Sequence, residues 1–357
     1  MKETGRPAEF FLGTTTPAGF KGYFDTLGRE NGRQLVLIKS GPGCGKSTMM
    51  KRLAARADGP VELIHCSSDP DSLDGVILYQ NNTAVVDATA PHVLEPAAPG
   101  ASELVVSLYH TLDAEKLRAH RAEIEALFCK NSCLRGRAAR YIASAGGLLL
   151  DSRRAAACST DFEKIRGYAK RLAARMLPQT DRRGEEQLRF LTGITPQGPV
   201  FFADTVRTLA PKKIVVFHDE YGAAARLLLE TLRAEALARG YRVIVCPCAM
   251  HPEDKIDHLL IPSIGLAFVT SNTWHPMDFA GQKNVRCTRF TDTAHLANFR
   301  SRLRFNRKAA AELLEQAVSL MAQAKACHDE LESYYRPAVN FAAVGEAEKQ
   351  LAATLGL

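Results

Sequence analysis

The sequence predicts an α/β protein made of two tandem copies of one domain, each followed by an α-helical extension. Three observations support this fold class. An apolar run of the buried type, residues 35–38, leads through a glycine-rich turn into a segment with helical periodicity. Segments of the first half recur in the second half at a constant spacing. The last part of each half is rich in Ala, Arg and Glu and carries leucines on one helical stripe.

Length and composition agree with a globular protein of two domains. The chain has 357 residues, of which 46% are hydrophobic and 24% are charged. The net charge of +7 comes from arginines on segments that also carry Glu, which indicates a solvated surface rather than a nucleic-acid interface. The nine cysteines are an odd number, and most of them are expected to be reduced thiols.

The sequence also predicts a cytoplasmic protein without membrane contact. No apolar run approaches the roughly 20 residues that are needed to span a bilayer. The beginning of the chain, MKETGRPAEFF, lacks the apolar core of a signal peptide.

The internal repeat is clearest near the start of each half. FLGTTTPAGFKGYFDT at residues 11–26 recurs as FLTGITPQGPVFFADT at residues 190–205, an offset of 179. The same offset holds in the helical tails, where Phe162 falls opposite Phe341. A constant offset indicates duplication, and a polar linker marks the boundary. The resulting domains are residues 1–183 and 184–357, with helical extensions at about 112–178 and 292–357 and the linker at 179–187.

Each copy is predicted to alternate strands and helices. In the first copy these are a strand at 9–12, a Thr-Pro-x-Gly turn with a short helix, the strand and helix around the glycine-rich turn, a strand at 61–66, a short helix at 71–78 and a strand at 83–87. Such alternation predicts a mostly parallel sheet with helices on both faces, in three layers. The helical extensions are expected to pack onto their own parent domains.

The glycine-rich turn SGPGCGKST, residues 40–48, has the Walker A pattern of a phosphate-binding loop, although Ser40 stands where the consensus begins with Gly. Glycines with positive φ let successive N–H groups point into one concavity, which the positive end of the following helix also faces. Lys46 is expected to contact the β- and γ-phosphates and Ser47 to coordinate Mg²⁺. The predicted fold class is therefore two tandem P-loop NTPase-like domains. The residues predicted to hold the nucleotide are Gly41, Pro42, Gly43, Cys44, Gly45, Lys46, Ser47 and Thr48.

Asp87 is predicted to hold the metal together with Ser47. It follows the apolar strand residues 84–86, and P-loop enzymes use an Asp of this kind to hold Mg²⁺ through water. The residue opposite Asp87 in the second copy is Thr270, so the carboxylate is absent where the phosphate loop is absent. The alternative is that Asp87 only caps a turn.

Asp69, Asp71 and Asp74 are the possible general bases, with Glu95 more remote, and Asp69 joins Lys46 and Asp87 among the predicted catalytic residues. Asp69 lies in HCSSDPDSLD, residues 65–74, after a strand whose carboxyl end is where α/β sheets contact ligands. The alternative for Asp69 is the N-cap of the short helix predicted after it.

The second copy is predicted to bind no nucleotide in the usual way. The residues opposite 45–47 are Ala224, Ala225 and Arg226, and HDEYG at residues 218–222 replaces most of the glycine turn. An acidic pair at that place repels phosphate.

Two roles remain open for this second copy. It completes the first site at the interface, with Arg226 or Arg233 as an arginine finger, or it holds a different site around His218, Asp219 and Glu220. For the last three residues a salt-bridged, solvated loop is the simpler expectation.

The phosphate loop, HCSSDPDSLDGVI at residues 65–77 and AVVDATAPHV at residues 84–93 together resemble a bacterial family of tandem-duplicated P-loop proteins described as ATPases or nucleotide-kinase-like proteins. The resemblance covers nearly the whole chain, including the helical extensions. In that family both copies usually carry a phosphate loop, and the second copy here departs from it at residues 224–226. The resemblance implies binding of ATP or GTP with Mg²⁺ through residues 45–47 and implies no particular substrate.

These observations predict a P-loop NTPase that binds ATP or GTP with Mg²⁺ in its first copy and hydrolyses it. One alternative is a kinase acting on a nucleotide or another small molecule, with its acceptor along residues 67–74 and Arg135, Arg137 and Arg140 as a phosphate-clamping lid. A second alternative is a noncatalytic, nucleotide-gated module whose second copy recruits a protein.

Overall fold

The computed structural model of the protein describes residues 6–30 and 32–357. The first copy forms strands β1 (Ala8–Phe11), β2 (Gly13–Thr16), β3 (Gly19–Gly22), β4 (Gln34–Lys39), β5 (Val61–Cys66), β6 (Asp69–Leu78), β7 (Thr83–Asp87) and β8 (Glu103–Ser107), and helices α1 (Lys46–Arg56), α2 (Ala114–Ala119), α3 (Arg121–Ala157) and α4 (Phe162–Met176). The second copy forms strands β9 (Glu185–Leu188), β10 (Thr192–Thr195), β11 (Gly198–Phe201), β12 (Lys213–His218), β13 (Arg242–Pro247), β14 (Ile256–Ile261), β15 (Leu266–Ser271) and β16 (Lys283–Arg286), and helices α5 (Ala203–Leu209), α6 (Ala223–Ala238), α7 (Thr293–Ala297), α8 (Arg300–Tyr335) and α9 (Phe341–Leu355). The signal-peptide argument rests partly on residues 1–5, which lie outside the described residues.

Each copy forms a six-stranded sheet, and the two sheets have the same strand order. The order is β1-β5-β6-β7-β4-β8 in the first sheet and β9-β13-β14-β15-β12-β16 in the second. β6 and β14 run antiparallel to both neighbours, whereas all other neighbouring strands are parallel. Five of the six strands in each sheet therefore run in the same direction, as predicted for a mostly parallel sheet, and the reversed β6 or β14 makes each sheet mixed.

The segment predicted as a short helix, residues 71–78, belongs to strand β6. Residues 75–78 pair with β5 on one edge and with β7 on the other. A short apolar run fits a buried strand and a buried helix equally well by periodicity. The strand forms here because pairing on both edges satisfies the backbone groups at the centre of the sheet.

The Thr-Pro-x-Gly turns close two small hairpins, β2–β3 and β10–β11. Gly19 and Gly198 have φ values of +104° and +99°, a region that favours glycine. The hydroxyl groups of Thr16 and Thr195 each donate a 2.8 Å hydrogen bond to the carbonyl oxygen of that glycine. Identical turns in both copies are what a duplicated sequence is expected to form.

The two sheets face each other across a shared apolar core. Leu37 of β4 and Val216 of β12 belong to this core. The adjacent residues Val36 and Val215 point to the outer faces of their sheets, because side chains alternate along a strand. At the centre of the shared region, backbone hydrogen bonds of 2.8 Å run in both directions between Phe11 and its repeat partner 179 residues later, Phe190.

The last helix of each copy packs onto the sheet of the other copy. Ile165 and Leu172 of α4 lie in one apolar cluster with α6 and the second sheet. Val344 and Leu351 of α9 lie in another cluster with α1 and the first sheet. The expectation that each extension packs onto its parent domain is wrong for these helices.

The long helices α3 and α8 carry the chain between the two sheets. The Asn131 side chain donates a 2.8 Å hydrogen bond to the Ala324 carbonyl, and Arg302 Nε donates a 2.7 Å bond to Asp151, so the helices run antiparallel. A helix of 37 residues such as α3 is about 55 Å long, enough to cross from one sheet to the other. Of the helices in the described part of the chain, none is both long and apolar enough to cross a membrane.

A buried ionic network joins the two copies near the linker. The fully buried Arg189 donates hydrogen bonds of 2.7 and 2.9 Å to the two carboxylate oxygens of Glu30 and also pairs with Glu62. Arg33 donates a further 2.6 Å bond to Glu30. These hydrogen bonds and charges hold the pKa of Glu30 below its ordinary value, against the opposing effect of burial.

Candidate functional site

The glycine-rich loop connects the central strand β4 to helix α1. Because β4 lies between β7 and β8, residues 40–45 leave the sheet at its carboxyl edge. Gly43 and Gly45 have φ values of +65° and +83°, as predicted. Gly41 does not take a positive φ, but a β-carbon at this position would lie 2.9 Å from the ring of Tyr335. Glycine is therefore required there by close approach rather than by backbone conformation.

The amino end of α1 has no competing acceptor. Its N-cap residue is Gly45, and no side chain in the described residues caps the helix. The carbonyl oxygen of Gly45 accepts the Met49 N–H at 2.9 Å, so the first turn is formed. The N–H groups of residues 46–48 have no hydrogen-bond partner within residues 6–30 and 32–357. They form the concave set of donors that an anion prefers.

Lys46 lies between the loop and Asp87. Its Nζ donates a 2.9 Å hydrogen bond to the Gly41 carbonyl and lies 3.5 Å from Oδ2 of Asp87. The adjacent parallel strands β4 and β7 explain this proximity, since Ile38 pairs with Asp87. The structure thus brings together the lysine and the carboxylate that the sequence selected independently.

The two carboxylate oxygens of Asp87 have different partners. Oδ1 accepts the Thr89 N–H at 2.9 Å and also the Thr89 hydroxyl. Oδ2 is directed to Lys46. Asp87 therefore caps a turn, as the alternative stated, and also lies beside the phosphate loop.

The oxygen atoms near the loop fit a cation that is bound together with phosphate. Ser47 Oγ accepts the Leu73 N–H at 2.9 Å, which places this hydroxyl between the loop and the β5–β6 hairpin. Hydroxyl and carboxylate oxygens are ligand types that Mg²⁺ prefers, and it usually takes its other ligands from phosphate and water. No group of three or more His, Cys, Asp or Glu side chains in the described chain is arranged to hold a metal ion. The role of Ser47 and Asp87 as metal-binding residues stays a prediction.

Asp69 lies at the start of β6, in the hairpin beside Ser47. Its carboxylate accepts the Ser72 hydroxyl at 2.7 Å and lies 3.6 Å from Nζ of Lys325 on α8. The alternative role as a helix N-cap is wrong, because a strand follows. The role as general base stays a prediction.

Two further residues of the predicted loop, Cys44 and Thr48, differ in their burial. Cys44 is fully buried, and its thiol donates a 3.4 Å hydrogen bond to the Pro42 carbonyl oxygen. Thr48 is exposed on the first turn of α1.

The end of helix α8 in the second copy covers the glycine-rich loop. Tyr335 contacts Gly41, while a β-carbon on Gly43 would lie 3.4 Å from both Arg336 Cγ and Glu332 Cβ. Arg336 donates a 2.9 Å hydrogen bond to Glu332, and its side chain is 67% exposed. Hydrogen bonds from His328 and from Arg336 lower the pKa of Glu332 to about 2. The loop therefore lies at the contact between the two copies.

Sequence reasoning selected other arginines for this place. Arg226 pairs with Asp254 and Arg233 with Glu186, both within the second copy. Arg336 was missed because no motif marks it; only the crossing of α3 and α8 brings it to the loop.

The arginines proposed as a phosphate-clamping lid lie on α3. Arg135 donates a 2.7 Å hydrogen bond to Asn131, and Arg137 and Arg140 are exposed. Within the described residues, none of the three contacts the phosphate loop.

In the second copy, a carboxylate of the chain itself caps the N-terminus of the corresponding helix, α6. Asp219 Oδ2 accepts the N–H groups of Ala224 and Ala225 at 2.9 and 2.7 Å, and Oδ1 accepts that of Gly222 at 3.1 Å. Gly222 is the N-cap of α6 and has the left-handed conformation of Gly45 in α1. A carboxylate of the chain thus occupies the donors that remain available in the first copy.

The loop of the second copy is also shorter. Four residues separate β12 from α6, against six between β4 and α1. Because each helix begins directly after its left-handed glycine, Ala223 stands opposite Lys46 and Ala224 opposite Ser47. The alignment expected from the sequence, which set Ala225 opposite Lys46 and Arg226 opposite Ser47, is therefore wrong by two positions. In the corrected alignment the second copy still lacks the lysine and the serine.

The alternative site around residues 218–220 is not assembled as a cluster. His218 Nε2 lies 2.6 Å from the side-chain oxygen of Asn284, and Glu220 accepts the Thr273 hydroxyl at 2.6 Å. Since Asp219 caps α6, these three side chains have separate partners, and the partners are neutral groups rather than the salt-bridge partners that the sequence led us to expect.

A groove of about 1550 Å³ lies away from the carboxyl edge of the two sheets. It is lined by the starts of β5 and β13 and by the linker. Since the phosphate loop lies at the carboxyl ends of the strands, this groove is not part of the candidate site.

Comparison with protein-family models, with curated proteins and with solved structures gave no match to this chain. The resemblance to tandem P-loop proteins therefore stays a prediction from the sequence.

Proposed function

We propose that the first copy binds a nucleoside triphosphate, ATP or GTP, with Mg²⁺ and hydrolyses it. The observation that carries the proposal is the contrast between two equivalent helix ends. The N–H groups at the start of α1 have no side-chain acceptor in the described chain, whereas those of α6 are capped by Asp219. A site that uses its donors for an external anion is expected to leave them uncapped.

The residues of the first copy have distinct proposed roles. The N–H groups of the loop hold the phosphate oxygens, and Lys46 exchanges its bond to Gly41 for one to the β- and γ-phosphates. Ser47 and Asp87 supply oxygen ligands, and the cation they hold supplies charge neutralisation between phosphates. Asp69 is the proposed base that receives a proton from the attacking water.

The second copy is proposed to complete the site rather than to bind nucleotide. Support comes from Tyr335 and Arg336, which lie over the loop from α8. The Arg336 side chain is 67% exposed and pairs with Glu332, and in this proposal its guanidinium turns from Glu332 towards the phosphates. An arginine at that position stabilises charge that develops during phosphoryl transfer.

The first experiment measures nucleotide binding and Mg²⁺-dependent phosphate release by the purified full chain. Lys46→Ala is expected to weaken binding at least about tenfold, because a charge-assisted hydrogen bond is removed. Lys51→Ala is the matched control, since Lys51 lies on the same helix and is exposed. Equal binding by Lys46→Ala and the wild type would overturn the proposal.

The same assay separates the alternatives. Phosphate released without any acceptor supports the NTPase. Phosphate transferred only to an added nucleoside, nucleoside monophosphate or other small molecule indicates a kinase. Binding without turnover indicates a nucleotide-gated module whose partner is a protein.

A further inference from the structure

A cavity of about 120 Å³ lies at the carboxyl ends of the strands of the second sheet. Its walls are the loops after β12, β13 and β15, the β10–β11 hairpin and the helices α3 and α8. This is the edge where α/β sheets bind ligands, and it corresponds to the edge that carries the phosphate loop in the first copy. The capped helix α6 excludes phosphate from its own end, but the neighbouring space remains open.

One wall of the cavity carries buried polar groups without protein partners. The side chain of Arg153 is 8% exposed, and its Nη2 pairs with Asp254. Its Nη1 is buried and has no hydrogen-bond partner in the described chain. The same holds for Thr192 Oγ1 and His251 Nε2, which line the cavity as well. Leaving such groups unpaired is unfavourable, so a ligand with acceptor oxygens gains from contacting them.

The charges around the cavity favour an anion. Lys255 and Asp257, 2.6 Å apart, neutralise each other. Two further cations, Arg153 and Arg307, and one further anion, Glu220, line the cavity. Burial lowers the pKa of the nearby His251 to about 4, so this imidazole adds no charge near neutral pH. Arg153 is already paired with Asp254, which also pairs with Arg226, and counting these two residues as well leaves a balance of one positive charge.

The rest of the wall is apolar. Ile194, Trp274 and Leu303 are examples of the side chains that form it. If each non-hydrogen atom needs about 10–15 Å³, as one water does, a cavity of about 120 Å³ holds a molecule of roughly eight to twelve non-hydrogen atoms. The occupant is therefore small and has both an anionic and an apolar part.

We infer that the second copy binds a small organic carboxylate with a compact apolar body. The carboxylate contacts Arg153 Nη1, with Thr192 and His251 beside it, and the apolar body packs against Ile194 and Trp274. A planar carboxylate suits a guanidinium group, which presents its N–H groups in a fixed fork. This site is independent of the nucleotide site that is proposed for the first copy.

The test is isothermal titration of the full chain with benzoate and isovalerate, and with the neutral amides of the same shape, benzamide and isovaleramide. The carboxylates are expected to bind saturably and the amides at least about tenfold more weakly, since they lack the charge that pairs with Arg153. Equal affinity for acid and amide, or no saturable binding up to about 10 mM, would overturn the inference.

Arg153→Met is the decisive variant. It leaves Asp254 paired with Arg226, whose Nη2 lies 3.4 Å from that carboxylate. The affinity for benzoate is expected to fall at least about tenfold, while the neighbouring exposed cation gives a matched control, Arg154→Met, with unchanged affinity. Retained affinity in Arg153→Met contradicts the proposed contact.

A second variant keeps the inference testable if Arg153→Met does not fold. Ala249 lines the cavity and is 6% exposed, so Ala249→Leu fills the space that the apolar body requires. Loss of benzoate binding supports the site, and unchanged binding overturns it. Lys46→Ala is expected to bind benzoate as the wild type does, which separates this inference from the fate of the nucleotide proposal.

Discussion

The ammonium group of Lys46 lies 3.5 Å from the carboxylate of Asp87, and each side chain is only 14% exposed. Adjacent parallel strands supply the two residues, so the contact depends on the pairing of β4 with β7. At this distance the two charges interact strongly enough that a change in one affects what the other binds.

Asp87→Asn is expected to separate nucleotide binding from metal dependence. Removing the carboxylate takes a negative charge away from the triphosphate, so binding without Mg²⁺ is retained or tightened. Mg²⁺-dependent turnover is expected to fall at least about tenfold, because an oxygen ligand loses its charge. Nucleotide titrations with and without Mg²⁺, together with phosphate release, measure both effects. Asp58→Asn changes an exposed carboxylate in the loop after α1 and serves as the control. An unaltered Mg²⁺ dependence in Asp87→Asn would show that the carboxylate only caps its turn.

Arg336→Ala is expected to lower kcat at least about tenfold with little change in nucleotide affinity, since an arginine finger acts mainly in the transition state. Arg336→Lys is expected to restore little, because an ammonium group does not reproduce the guanidinium fork. Arg304→Ala alters an exposed arginine of helix α8, which ends just before Arg336, and is expected to leave kcat unchanged. Steady-state kinetics of the three variants decide the matter. A kcat for Arg336→Ala equal to that of Arg304→Ala would exclude the role in catalysis.

Asp219→Ala is expected to destabilise the protein by about 1–2 kcal/mol, because the first N–H groups of α6 lose their acceptor. It is not expected to create nucleotide binding, since Ala223 stands in the place of Lys46. Thermal unfolding and nucleotide titration measure the two outcomes. Asp181→Ala, at an exposed linker position, controls for the loss of a carboxylate. Gain of nucleotide binding by Asp219→Ala would mean that the lysine is dispensable in this fold.

Much of the fold could be predicted because its information is local. The glycine-rich loop between strand and helix, the Thr-Pro-x-Gly turns and the repeated strand order all depend on residues close in sequence or on a constant offset. β6 could not be identified as a strand in the same way. Its apolar run satisfies both periodicities, and the choice is made by β5 and β7 on either side of it.

The residues of the candidate site also differ in whether local sequence or tertiary packing determines their position. Lys46, Ser47 and Asp87 were selected by motif and by position after a strand, and the structure brings Lys46 and Asp87 together. Arg336 and Tyr335 could not be selected, because their approach to the loop depends on α8 crossing to the first sheet. Amphipathic helices specify that an apolar face is buried, but they do not specify which sheet buries it.

Arg189→Met is expected to destabilise the protein by about 3–5 kcal/mol, because it leaves the carboxylates of Glu30 and Glu62 buried with fewer cations. The effect is expected to appear as a lower midpoint in denaturant unfolding. Arg183→Met, at an exposed position of the linker, is the matched control. Stability equal to that of the control would mean that Arg33 alone compensates the two carboxylates.

Acid is expected to destabilise the second copy through its buried histidines. Burial lowers the pKa of His258 to about 3 and those of His251 and His275 to about 4. In the unfolded chain these groups titrate near about 6.5, so below that pH the unfolded state binds more protons than the folded state. Their contribution to stability is complete above about pH 6.5 and is lost as the pH falls towards 4. Each histidine steepens the dependence by at most about 1.4 kcal/mol per pH unit.

His258→Phe isolates this effect from the titration of carboxylates. Both ring nitrogens of His258 are buried without a hydrogen-bond partner in the described chain, and its ring centroid lies 5.4 Å from that of Phe201. An apolar ring is therefore expected to be tolerated at neutral pH and to flatten the pH dependence between about pH 6.5 and 4 by up to about 1.4 kcal/mol per pH unit. Denaturant midpoints across this range measure the slope, with His110→Phe as the control at an exposed position. The same slope in His258→Phe and in the wild type would mean that His258 takes up its proton in the folded state, because only a group whose protonation differs between the two states contributes to the slope.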